Sequence, residues 1–227
     1  MINKLEKLLA PISDKLGNQR HLQAISNGMM MSLALIVVGS IFLIIANPPI
    51  NLDLVDLNTG NIFMKGLIAW KQWAVANYNT ITIPYTMTMG LIGMVTAFGV
   101  AYCLAESYKM KAAVSGIISM CVFLMIAAPV NDGSLSMSYL GADGLFVALI
   151  VGLVSVEICR IVGNKAVFSF PPSVPSAVTN FVNSLLPLAA NIIIIFGLNL
   201  ILQALSGKSL PEFIMGILTP AISGVDN

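Results

Sequence analysis

The spacing of charges constrains this chain more than any other feature, because it leaves runs long enough to cross a lipid bilayer. A hydrocarbon core about 30 Å thick takes ~20 residues of helix. Intervals free of Asp, Glu, Lys, Arg and His cover 22–52, 72–105, 112–131, 144–156 and 166–207. They predict spans at about 29–46, 86–105, 112–129, 144–159 and 185–205. Asn47-Pro48-Pro49 stops the first, since paired prolines cannot continue a helix, and Pro84 makes a natural entry to the second. The fourth is the shortest, because Glu157 ends its charge-free run. Charged residues are 9% of the chain and hydrophobic ones 57%, where a soluble domain carries roughly 25% charged. Too few polar side chains remain to coat a soluble core, so the predicted fold is all-α and integral to the membrane, with about five transmembrane helices.

Lys4, Lys7, Lys15, Arg20, Lys109, Lys111, Arg160 and Lys165 fall on one side of these spans, and only Lys65, Lys71 and Lys208 on the other. The positive-inside rule then places the amino terminus in the cytoplasm and the carboxyl end outside, as a multi-pass protein of the plasma membrane. Residues 1–20 are not a cleavable signal, because charges recur through them without an apolar run before a cleavage site. Ile2, Leu5, Leu8 or Leu9, Ile12 and Leu16 instead share a helical face opposite Lys4, Lys7, Asp14 and Lys15. This predicts an amphipathic helix, on the cytoplasmic leaflet or against a partner subunit, preceding a membrane domain over 21–227. The net charge of +1 argues neither for nucleic acid nor for an acidic partner.

Chemistry-bearing motifs are scarce. No GxxxxGK[ST], HExxH or CxxC occurs, and Cys103, Cys121 and Cys159 lie scattered in or beside apolar runs, which suits small hydrophobes. No catalytic side chain, metal site or cofactor site is expected. Glu157 and Arg160, at i and i+3, form an interfacial pair with a structural or a gating role, and His21 enters the first span as a helix-entry hydrogen bonder or a proton carrier. Asn191 and Asn199 are expected to tie helices together, and Gly93, Ala97, Ala101 and Ala105 to make a ridge of small residues that meets a helix of this chain or of a second copy. Phe168 to Pro187 is expected as an ordered non-helical loop, since Pro171, Pro172 and Pro175 cannot donate backbone hydrogen bonds. Such backbone either lines a wet cavity or forms a rigid cytoplasmic link.

Five runs together resemble the enzyme IIC membrane component of lactose- and cellobiose-type phosphotransferase systems. They are QRHLQAISNG, LIVVGSIFLIIANPP, TAFGVAYCLAESYKMKA, YLGADGLFVALIVGLVSVEICR and FPPSVPSAVTNFVNSLLP, and they follow in the family's order. The resemblance implies a homodimeric carrier in the lipid bilayer for a β-linked disaccharide such as cellobiose, lactose or diacetylchitobiose. Phosphorylation would be coupled through partner enzymes IIB and IIA. It implies sugar contact through the loop backbone at Ser173, Val174 and Pro175. It also implies the amino-terminal half of such a carrier, the re-entrant hairpins and their His and Glu belonging to a second half. A truncated, non-transporting scaffold or dimerisation module is the alternative. Ser173 stands where the family often has Gly, Asn180 where it commonly has a basic residue, and Ser26-Asn27 where a basic-acidic pair is common.

Overall fold

The computed structural model describes residues 17, 19–56, 60–131, 133–165, 171 and 173–223. The expected amphipathic helix over 1–20 lies outside these apart from Gly17, Gln19 and Arg20. Almost every element is a helix, because backbone N–H and C=O groups at membrane depth must pair within their own segment. The first, α1, covers Arg20–Ala46. It stops where sequence chemistry requires: the Asn47 side chain donates to the Leu43 carbonyl at 3.0 Å, and two prolines follow. Four helices, at Arg20–Ala46, Tyr78–Ser107, Ala142–Gly163 and Phe181–Ser206, are long and apolar enough to span a bilayer, and Ala112–Ala127 is a shorter apolar helix.

The described chain divides into two compact units, Leu33–Ile92 and the remainder. In the smaller unit, a 3-10 turn at Leu52–Leu54 is capped by Asn51, and α2 (Ile62–Ala76) by Asn61, each side-chain oxygen accepting a backbone N–H. The Trp70 indole donates to the Ile45 carbonyl at 3.1 Å. Short helices α3 (Tyr78–Ile81) and α4 (Ile83–Thr88) follow, with Pro84 in the first turn of α4, where no N–H is needed. Thr82, Thr86 and Thr88 each donate a hydroxyl to a carbonyl one turn earlier, so their polar groups are satisfied within the helix.

The larger unit holds the first turns of α1, then α5 (Ile92–Ser107), α6 (Ala112–Ala127), α7 (Leu145–Lys165), α8 (Ser176–Asn191), α9 (Gly197–Ser206) and α10 (Leu210–Ser223). The small ridge of α5 is met from within this chain: Ala97, Ala101 and Ala105 are wholly buried, and Ala101 and Ala105 form one cluster with Ala24, Leu104 and Val156. Gly28 of α1 faces Gly99 of α5 so closely that a Cβ on Gly99 would lie 2.7 Å from the Gly28 carbonyl oxygen. Only a residue without a side chain lets the two backbones meet there. Between α5 and α6 the chain turns at Lys109, whose φ of 57° is the left-handed region that favours glycine. A two-residue ladder, β1 (Val130–Asn131) with β2 (Ser134–Leu135), leads toward α7.

One expectation is corrected. The stretch from Phe168 to Pro187 is not a loop throughout: α8 starts at Ser176 and runs through Pro187. Pro175 is the N-cap, its backbone still extended at φ −55° and ψ 139°, and its carbonyl accepts from Val178 and Thr179. No proline follows until Pro187, so nothing in the residues after Pro175 stops a helix from starting at Ser176. Residues 166–170 and 172 lie outside the described chain. A π-helical turn, Ile192–Phe196, joins α8 to α9.

Candidate functional site

The proline-rich loop leaves its described residues at the surface: Pro171, Ser173 and Pro175 are exposed and Val174 is half-buried. The Val174 N–H donates to the Pro171 carbonyl at 3.0 Å, closing a turn immediately before α8. Pro171 and Pro175 bring no N–H, and their carbonyls already accept from Val174 and from Val178 and Thr179, so this segment gives few donors. The three residues expected to touch a sugar therefore form one short rigid segment.

A second arrangement was only half legible in the sequence. Glu157 and Arg160 do pair along α7, but loosely, Nη1 to Oε2 at 3.5 Å. The tighter bonds come from other helices. Tyr108, just past the end of α5, donates its hydroxyl to Glu157 Oε1 at 2.6 Å, and His21 Nε2 in the first turn of α1 lies 3.1 Å from the same oxygen. One carboxylate thus ties α1, α5 and α7 at a single level. Because Glu157 accepts its hydrogen, and because burial and the carboxylate's charge disfavour a phenolate, the Tyr108 hydroxyl titrates above its ordinary value. The guanidiniums of Arg160 and Arg20 lie 4.3 and 5.5 Å from the centre of the Tyr108 ring, and the His21 ring meets it edge-on at 6.5 Å. Sequence reasoning took up Glu157, Arg160 and His21 but passed over Tyr108. The available signal was an aromatic ring with a polar tip at the water end of an apolar run.

A third arrangement lies deeper. Asn191 is fully buried, and its amide donates to the Pro187 carbonyl at 2.9 Å, the Ser155 carbonyl at 3.4 Å and Cys159 Sγ at 3.3 Å. It ties α8 to α7, immediately before the π-helical turn. Asn199 does the same for the next connection, its oxygen accepting from the Leu210 N–H at 2.7 Å. Among the described residues no three His, Cys, Asp or Glu side chains converge as a metal site. These arrangements hold helices and offer acceptors, and they place no nucleophile beside a base.

Residues 26–225 match the family described as phosphotransferase system, EIIC. The chain is 34% identical to the lichenan permease IIC component of Bacillus subtilis, over 96% of this chain and 49% of that protein. It is 32% identical to the PTS system cellobiose-specific EIIC component of Geobacillus stearothermophilus, over 98% of this chain and 50% of that protein. Among solved structures it is similar to the crystal structure of the transporter ChbC, the IIC component from the N,N'-diacetylchitobiose-specific phosphotransferase system. That likeness has a TM-score of 0.80 at 30% identity and covers 96% of this chain and 51% of that one. The chain therefore spans about half the length of the relatives it matches.

Proposed function

The chain belongs to the EIIC family of the phosphotransferase system, and from that membership we propose that it forms part of a permease for a β-linked disaccharide, cellobiose being the first candidate. The carrying observation is the match over nearly the whole chain to relatives named for lichenan and cellobiose, joined to a likeness in fold to a IIC component specific for diacetylchitobiose. Uptake is coupled to phosphorylation of the sugar by a partner enzyme IIB, supplied in turn by enzyme IIA, so the chemistry belongs to other polypeptides. This chain provides membrane scaffold and works as a homodimer. Its amino terminus lies in the cytoplasm, a reading supported by the basic residues at 20, 109, 111, 160 and 165.

Ser173, Val174 and Pro175 contact the sugar through backbone acceptors. What supports this is the exposure of Ser173 and Pro175 and the shortage of donors at Pro171 and Pro175. The test is deletion of the coding sequence in the native host, followed by assay of phosphoenolpyruvate-dependent phosphorylation of cellobiose, lactose and diacetylchitobiose by membranes. Loss of activity toward one of them is expected, restored by the wild-type gene. Retention of all three activities would sink the reading. For the loop, Ser173→Gly is expected to keep uptake and Ser173→Trp to abolish it, with membrane abundance unchanged.

A further inference from the structure

Two helices bring a guanidinium to an aromatic ring that follows a third. Arg20 opens α1, Tyr108 follows the end of α5, and Arg160 lies near the end of α7, so the ring marks the boundary between apolar spans and water. Both guanidiniums lie within 5.5 Å of the ring centre. The balance of charge there is uneven. Glu157 already accepts from Tyr108 and contacts His21, and its contact with Arg160 is stretched to 3.5 Å. Among the described residues Arg20 has no carboxylate partner. Lys109, exposed in the turn before α6, is matched by Glu106, exposed in the same turn.

A guanidinium is weakly hydrated and presents a planar fork that matches phosphate oxygens. Two of them held against one ring, only Arg160 of the pair touching a carboxylate and that loosely, favour a bound phosphate anion. The apolar surroundings select its source. Ile150, Val154 and Ile161 are exposed and share the face of α7 that carries Glu157, at spacings of four, three and four. Leu22, Met29 and Met30 are likewise exposed on α1 beyond Arg20. A free anion has no use for such surface, whereas an acyl chain does.

We propose that Arg20, Arg160 and the Tyr108 ring seat the phosphodiester headgroup of an anionic phospholipid, with its acyl chains along the exposed apolar stripe of α7. The inference stands on the geometry alone and does not depend on which sugar is carried. Native mass spectrometry of the full chain, in micelles containing equal phosphatidylglycerol and phosphatidylcholine, tests it. Preferential retention of phosphatidylglycerol is expected. Arg20→Gln with Arg160→Gln should lower that retention about fivefold for each charge removed, leaving phosphatidylcholine unaffected. Lys208→Gln should leave the preference intact. If the double Gln variant does not fold, the exposed Arg20→Gln alone should still give its single step, and Arg20→Lys with Arg160→Lys should keep part of the preference.

Equal retention of the two lipids, or a double variant indistinguishable from wild type, overturns the proposal. Stabilisation by inorganic phosphate in uncharged detergent, with none from phosphatidylglycerol, would reassign the seat to a soluble anion. Loss of enzyme IIB binding in the double variant, with lipid retention unchanged, would reassign it to a protein partner.

Discussion

Two polar arrangements hang on α7, and they handle the apolar environment in opposite ways. At Glu157 the side chain is about one-third exposed and both carboxylate oxygens have partners. At Ser155 and Cys159, on another face of the same helix, the fully buried Asn191 amide spends its N–H groups on carbonyls and a thiol while its own oxygen has no partner among the described residues. The first is a charged clamp that water can still reach. The second is a neutral tie from which water is excluded, where an amide is tolerated and a charge is not.

Exchanging amide and carboxylate between the two positions gives the sharpest test. Asn191→Asp replaces a donor with an acceptor aimed at two carbonyls and a thiol in a dry interior, so a loss of about 3–5 kcal/mol is expected. Thermal melting in detergent would show it as a large fall in midpoint or as failure to accumulate. A melt within a degree or two of wild type would break the contrast. Tyr108→Phe keeps the ring under both guanidiniums and removes the strongest bond to Glu157, for about 1–2 kcal/mol.

The same tyrosine predicts a pH dependence. Its folded value lies above its unfolded one, so its contribution is fully present below about pH 10. That contribution is lost as pH rises through the higher folded value. Melts of wild type should fall more steeply across that alkaline window than melts of Tyr108→Phe, and parallel curves would exclude the linkage.

Glu157→Gln should cost less, about 0.5–1 kcal/mol, because the partners His21 and Arg160 are solvated and Gln still accepts from Tyr108. The smallest effect carries the opposite sign. Thr96 is wholly buried and its hydroxyl has no partner among the described residues, so Thr96→Val is expected to be neutral or to stabilise by up to about 1 kcal/mol. A clear destabilisation there would mean the hydroxyl has a bond partner in the membrane.

Much of the helical layout was legible along the chain. The charge-free runs and the paired prolines after Asn47 act locally, through the cost of unpaired backbone in lipid and of proline in a helix, and need no tertiary information. The loop showed why local rules stop short. Pro171, Pro172 and Pro175 announce a break, but how far it extends is set by the residues after Pro175, and the helix resumes at Ser176. The partners of the polar side chains were legible only in part. Glu157 and Arg160 are neighbours on one helix and could be paired by spacing, whereas the stronger bonds to Tyr108 and His21 span 49 and 136 positions.

Periodicity and the scarcity of charge settle that this chain makes apolar helices, and the ordered runs it shares with its relatives settle its family. Which helix faces which was decided only by folding. The Gly28–Gly99 approach, the convergence on the Tyr108 ring and the Asn191 tie depend on where separate helices cross, and helical spacing fixes a residue's face without naming what packs against it.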